Sequence, residues 1–430
     1  MPTPPLLVRL YRAGTTVIVP FAFWLVSRKL RRQNVKIERV HERLGHASLA
    51  RPRRPTVWFH GASVDESLSV LTLITGMAAR LPRYDFLITS GTAASAKLID
   101  QRLPPRTQHQ FAPLDAPGPV RRFLEHWRPK AAIFVESELW PVTLGETKTR
   151  GTPLALLNAR LSNRSVAAWK KRPKSAHYIL GRFTLMITQN QKSAQDLVSM
   201  GADPDRVRTG GNLKSTSAPL PVDAITLAKL ATDLGQRPLW VASSIHPGED
   251  QIVIDAHKQL RITHPDLCLL LIPRRPERGD DIVRLITDAG LRFARRSAKD
   301  PISPDTQVYL ADTLGETGTW YAASPIVFLG GSLVKVGGHN PFEPAQAGAA
   351  ILTGPHTHNF SETFQPLQKC GAARTVSDAD TLAHAVENWL SNPGALEDTR
   401  AQARTFVLGR QATLNDIIGT LIEALELGET

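Results

Sequence analysis

The chain is poor in cysteine, with two in 430 residues, and it carries no low-complexity tract and no sustained heptad run. Cys268 lies in an apolar stretch and Cys370 in a distant segment, so neither a disulfide framework nor a cysteine metal cluster is expected. That usage suits a reducing, cytosolic compartment. Charge is unevenly spread. The formal net charge is +13, yet residues 1–54 hold twelve Lys/Arg against two acids, Glu38 and Glu42, so the remaining body is near neutral. The basic stretch Arg28–Arg54 lacks the aromatic interleaving or motif of a nucleic-acid binder. A chain of 430 residues is too long for one ordinary core, and two domains of about 200 residues are expected.

Long apolar runs are also scarce, and one stands out. Val17–Val26 follows Arg9 and Arg12 and precedes Arg28-Lys29-Leu30-Arg31-Arg32. Extended back to Pro5 it reaches roughly 20 residues, barely a membrane span. A small-x-small cleavage site is lacking before the basic cluster, so a removed signal peptide is not expected. The segment reads as an interfacial or shallow membrane anchor whose basic flank places the body in the cytoplasm. The alternative is an ordinary N-terminal helix packed on the body.

From Thr56 onward, short apolar strands alternate with helical periodicity. Strands are predicted at Thr56–His60, Tyr84–Thr89, Thr107–Phe111, Ala131–Glu136, Pro153–Asn158 and Thr184–Thr188. After a Pro- and Ser-rich stretch at Thr216–Asp223 the rhythm restarts at Pro238–Ser243, Leu267–Pro273, Gln307–Ala311, Ile326–Leu329 and Ala349–Thr353. Such β-α-β alternation predicts an α/β protein with two Rossmann-like, doubly wound parallel sheets facing a cleft. The expected divisions are 1–54 (anchor), 55–215 (first domain), 216–236 (linker) and 237–430 (second domain with C-terminal helices).

Chemistry is expected where strands end. Ile326–Pro344 breaks at Gly330-Gly331-Ser332 and Gly337-Gly338 before His339-Asn340-Pro341-Phe342-Glu343-Pro344. Paired glycines permit close approach of backbone to ligand, and free helix N–H groups attract phosphate, so the stretch reads as part of a nucleotide site. Ser243–Glu249, the cluster Arg274-Arg275-Pro276-Glu277-Arg278 and Asp312–Glu316 add three more loops with anion donors or a carboxylate. In the first half, Glu66 falls at a helix start after strand Thr56–His60. The dipole there favours a carboxylate, as a general base needs, while the Ser63/Glu66 spacing equally describes a capping box. A Ser63/His60/Asp65 triad is disfavoured, since sequence neighbours rarely converge in that geometry. Glu136 ends an otherwise apolar strand, where burying an acid is costly without a partner. Glu138 reads as the solvated or capping acid, and Lys214 places one cation near the end of the first half. His356-x-His358 lacks further ligands nearby, and Asp378-x-Asp380 more simply caps the following helix, so a metal site is not expected.

The ordered set WFHGASVDE, ESELWP, NARLSNRS, GNLK, HPGED, IPRRPER, DTLGE, GGSLVKVGGHNPFEP and GPHTHNF resembles the Kdo (3-deoxy-D-manno-octulosonic acid) transferase family. The resemblance runs from the N-terminal segment to about Phe364. It implies a GT-B glycosyltransferase at the cytoplasmic face of a bacterial inner membrane, with acceptor in the first half and CMP-sugar in the second. It further implies CMP-Kdo as donor, an anionic lipid A precursor as acceptor, and no cofactor. By the same resemblance Glu66 is the catalytic base, and Glu136 and Lys214 stabilise the transition state. Pro273, Arg274, Leu314, Gly315, Glu316, Asn340, Pro341, Phe342 and Glu343 fall on the family's CMP-binding segments. Asp65, Val142 and Ser215-Thr216 depart from the family pattern on the acceptor side. The rival expectations are another GT-B nucleotide-sugar enzyme, an epimerase or UDP-sugar transferase, and a catalytically inactive membrane-bound CMP-binding protein.

Overall fold

The computed structural model describes residues 3–61, 64–211 and 219–428, with backbone but not side chains for 64–69. The chain divides into two compact units, Met1–Ser217 with Ala412–Thr430, and Ala218–Gln411. Each is built on one parallel seven-stranded sheet.

The first sheet comprises β1 (Thr56–His60), β2 (Asp85–Ser90), β3 (Thr107–Phe111), β4 (Ala131–Val135), β5 (Leu154–Ala159), β6 (Leu185–Thr188) and β7 (Val207–Thr209). Its order is β3-β2-β1-β4-β5-β6-β7, so the winding reverses between β1 and β4. Runs such as TVWFH and AAIFV are buried along their whole length, as strands covered by helices on both faces must be. Trp58 packs against Phe123 and Phe134 on one side of this sheet, with ring centroids 4.7 and 5.1 Å away.

The second sheet comprises β8 (Leu239–Ile245), β9 (Cys268–Pro273), β10 (Phe293–Arg295), β11 (Val308–Leu310), β12 (Ile326–Leu329), β13 (Ala350–Thr353) and β14 (Ala373–Thr375). Its order is β10-β11-β9-β8-β12-β13-β14, with the reversal between β8 and β12. In doubly wound sheets the crevice outside the strand ends at such a reversal is where ligands bind.

The alternation read from sequence is therefore the observed architecture. Strands β7, β10 and β14 were not predicted. Each has three residues and lies at a sheet edge, too short for periodicity to register. Two boundaries also differ. The stretch read as a linker contains the helix Ala224–Leu234, opened by the Asp223 carboxylate accepting from the Ile225 and Thr226 N–H groups. The last helix, Pro393–Ala424, runs out of the expected second domain at 237–430, for the chain from Ala412 belongs to the first unit. There Ile417, Ile418, Leu421, Leu425 and Leu427 join the core containing Val57, Phe59 and Ile133.

Candidate functional site

In the second unit the ends of β9, β8 and β12 lie side by side and carry the loops singled out in the sequence. The centre of this edge is Glu249, which is fully buried. Its carboxylate accepts from four backbone N–H groups: His246 at 3.0 Å, Gly331 at 2.7 Å, Ser332 at 2.9 Å and Leu333 at 2.8 Å. Successive N–H groups turned toward one point form an anion-binding concavity, and here the anion is the protein's own.

This corrects the reading of the glycine loop as a phosphate cradle. Gly330 N–H donates to the Ser243 carbonyl, and the Gly337 and Gly338 N–H groups both donate to the Gly331 carbonyl. All four glycine N–H groups are thus used within the protein. The glycines serve close packing instead. Gly331, Gly337 and Gly338 adopt φ of +66°, +112° and +79°, and a Cβ on Gly330 would lie 2.8 Å from the Ser244 carbonyl oxygen. Loop closure brings His339 against His246, with their Nε2 atoms 2.9 Å apart and their ring planes 17° from parallel.

The residues expected to hold CMP are placed as follows. Pro273 ends β9, and exposed Arg274 follows it, its N–H bonded to the Ile245 carbonyl at 3.0 Å. Leu314 is 78% exposed, and Gly315 turns the chain with φ +88°. Glu316 pairs with Arg296 at 2.5 Å and also accepts from Thr313. Asn340 accepts from the Phe342 N–H at 3.1 Å and its amide donates to Glu343 at 3.4 Å, so Asn340 and Glu343 form one unit at the start of the short helix Phe342–Gln346. Pro341 and Phe342 are buried beneath them.

In the first unit, β1 and β4 end together at the winding reversal. Glu66 is in the first turn of the helix Val64–Arg80 that follows β1, and its side chain lies outside the described residues. Glu136 follows β4 with φ +60°, and its N–H bonds to the Leu157 carbonyl at 2.8 Å. A non-glycine residue in that region stores strain of about 1–3 kcal/mol, which concentrates at functional sites. Lys214 lies outside the described residues, as does Ser63.

Glu138 overturns its reading as a solvated or capping acid. It is 9% exposed, accepts from His60 Nε2 at 3.1 Å, and accepts from the Trp140 indole N–H. Burial pushes its carboxyl up, but the hydrogen bond and charge of His60, with Trp140, outweigh it and hold the carboxyl below its usual value. His60 Nδ1 meets Thr89 Oγ1 at 2.9 Å. The sequence signal for this chain of groups was a histidine ending an apolar strand, but its partners come from other strand ends. Trp140 itself remains 41% exposed. Asp378 caps the helix Ala379–Ser391 through a reciprocal bond with Thr381, the reading preferred over a metal ligand. Among the described residues there is no group of three or more His, Cys, Asp or Glu arranged to hold a metal ion.

The N-terminal helix, Leu6–Arg32, is long and apolar enough to cross a membrane by length and composition. Its packing is more informative than its length. Val8, Ser27 and Leu30 are buried, Leu30 clusters with Val40 and Phe111, and Arg12 pairs with Glu146 at 2.6 Å. Leu10, Val17, Ile18, Phe21, Trp24 and Leu25 are left exposed on the other side. A water-facing helix has the opposite pattern. A surface hollow next to this face is lined by Trp24, Ser27, Arg28, Arg31 and Arg32.

Comparison with known proteins agrees with this architecture. Residues 38–217 match the family described as 3-Deoxy-D-manno-octulosonic-acid transferase (kdotransferase). The probable mitochondrial 3-deoxy-D-manno-octulosonic acid transferase of Arabidopsis thaliana is 33% identical over 398 residues, covering 90% of this chain and 89% of that protein. The 3-deoxy-D-manno-octulosonic acid transferase of Haemophilus influenzae is 32% identical over 394 residues, covering 90% and 92%. A glycosyltransferase of solved structure from Rickettsia africae, 12% identical with a TM-score of 0.56, covers 88% of this chain and all of that one, which shows a common GT-B fold. With a third of its residues identical to these relatives along nine-tenths of its length, the chain belongs to the Kdo transferase family and is a glycosyltransferase.

Proposed function

We propose that this enzyme transfers Kdo from CMP-Kdo to a phosphorylated glycolipid of the lipid A precursor (lipid IVA) type, with inversion at the anomeric carbon. The observation that carries the reading is kinship with Kdo transferases along nearly the whole chain. In this scheme the first unit supplies the base and the acceptor site, and the second unit holds the donor. Glu66 takes the proton of the attacking sugar hydroxyl while its oxygen bonds to the anomeric carbon of Kdo. The anomeric carbon–oxygen bond to phosphate breaks from the opposite face, and CMP departs with the electron pair. Arg274 and Lys214 offset the charge that develops on CMP, and Glu136 assists at the reacting centre. The place of Glu66 supports its role, since the first turn of a helix keeps a carboxylate ionised. Asn340 and Glu343 suit the ribose hydroxyls, one as donor and the other as acceptor.

The acceptor is a lipid, and the N-terminal helix fits a role in reaching it. Because Arg12 and Leu30 both contact the first unit, the helix is held along the body over roughly 27 Å. A helix held in this way rests in the membrane interface with its apolar face down, rather than crossing the bilayer. Arg28, Arg31 and Arg32 then meet anionic headgroups at the cytoplasmic face.

The test is transfer by the Glu66→Gln variant, with CMP-Kdo and a tetra-acylated lipid A precursor, read by mass spectrometry. Product formation is expected to vanish while CMP binding stays near normal. Near-normal turnover in this variant would sink the base assignment. Thermal stabilisation by UDP rather than CMP would point instead to a UDP-sugar enzyme.

A further inference from the structure

His246 and His339 have no part in the scheme above, although they lie at the winding reversal of the second sheet. His246 follows β8 and His339 follows the glycine loop after β12, the two strands between which the second sheet reverses. Their Nε2 atoms are 2.9 Å apart, and the rings lie 17° from parallel. A hydrogen bond between two ring nitrogens uses one proton, so one ring carries its proton on Nε2 and the other on Nδ1. Among the described residues neither Nδ1 has a protein partner.

The surroundings are built to hold this pair. Glu249 fixes the backbone on both sides, through the His246 N–H and the Gly331–Leu333 N–H groups. A Cβ on Gly331 would approach the His339 ring to 3.0 Å and that of His246 to 3.3 Å, so the absence of a side chain there admits both rings. The nearby charges are Glu249, whose carboxylate is already committed to four donors, and Arg274, Arg275 and Arg278. Burial, then His246 and Arg274, push His339 down to about 4 against the pull of Glu249. Burial and the three arginines also lower His246. The pair thus lies between one carboxylate already committed to backbone donors and three arginines.

We propose that His246 and His339 form an oxyanion-binding pair for the donor, beside Arg274. This rests on reading the second unit as the CMP-sugar unit. When an anionic oxygen arrives at either outer Nδ1, one extra proton on the pair keeps the shared Nε2 proton in place and gives that oxygen an Nδ1–H donor. Donor phosphate and the carboxylate of the sugar acid both offer such an oxygen.

Diethyl pyrocarbonate labelling of the wild-type protein separates these sources, with His246 and His339 modification read by peptide mass spectrometry. CMP is expected to slow labelling of both histidines at least fivefold, while cytidine at equal occupancy leaves it unchanged, which assigns the pair to phosphate. Protection by free Kdo without protection by CMP assigns it to the carboxylate. Unchanged labelling with both ligands, while calorimetry shows CMP bound in the same sample, overturns the pair and leaves the donor reading standing. Lack of CMP binding by the wild-type protein overturns both. In parallel, His339→Leu is expected to weaken CMP binding roughly tenfold or more, the loss of one charge-assisted hydrogen bond. Cytidine binding is expected to stay within twofold, and an equal loss for cytidine and CMP would refute a phosphate contact.

Discussion

Substituting Glu249 by Gln isolates the contribution of one buried carboxylate to the glycine loop. Two N–H groups reach each oxygen, Ser332 and Leu333 on one, His246 and Gly331 on the other. A glutamine amide can present its oxygen to one couple only, and its NH2 then faces the other two donors. Losing two accepted bonds at buried donors costs about 1–3 kcal/mol each, so roughly 2–6 kcal/mol in total. For a unit of this size each kcal/mol moves the melting point by about 2–4 °C. Calorimetry of the full chain is therefore expected to show the second-unit transition lowered by roughly 4–24 °C, with the first-unit transition little changed. A shift below about 2 °C would refute the claim that this carboxylate organises the loop.

Three further outcomes are expected. Introducing Glu at both Phe21 and Trp24, which are 62% and 53% exposed, should reduce binding to anionic vesicles about 100-fold by sedimentation, without lowering the melting point. Unchanged vesicle binding would remove the helix face as the docking surface. Glu138 has a folded carboxyl below its usual value of 4.5, so its contribution to stability is complete above about pH 4.5 and is lost as pH falls through the lowered value. Glu138→Gln should flatten that acid limb in melts between pH 3 and 6, and an unaltered limb would contradict the His60 pairing. Gly337→Ala forces a side chain onto φ +112° with its Cβ 2.3 Å from Asn359 Nδ2, and should cost about 1–3 kcal/mol by denaturant titration.

The strand–helix rhythm was legible because parallel strands buried on both faces read as continuous apolar runs. The glycine loop was legible as a turn beside a strand end, but the acceptors of its N–H groups were not, since paired glycines signal only backbone freedom. That acceptor, Glu249, lies 82 residues before Gly331. Glu138 was misjudged for the same reason: its partner His60 is 78 residues away, on the strand across the winding reversal. The N-terminal segment was legible as apolar and basic, but which side faces outward depends on contacts such as Arg12 with Glu146.

The last helix has a consequence for how the protein is made. Ile417, Ile418, Leu421, Leu425 and Leu427 complete the core beneath the first sheet, although the rest of that unit ends by Ser217. On a ribosome adding about 5–20 residues per second, the first unit waits roughly 10–40 s with an open apolar floor. The half synthesised first is thus the half finished last. A nascent chain of this protein needs shielding for that interval, and a fragment stopped at residue 217 should aggregate where the full chain stays soluble.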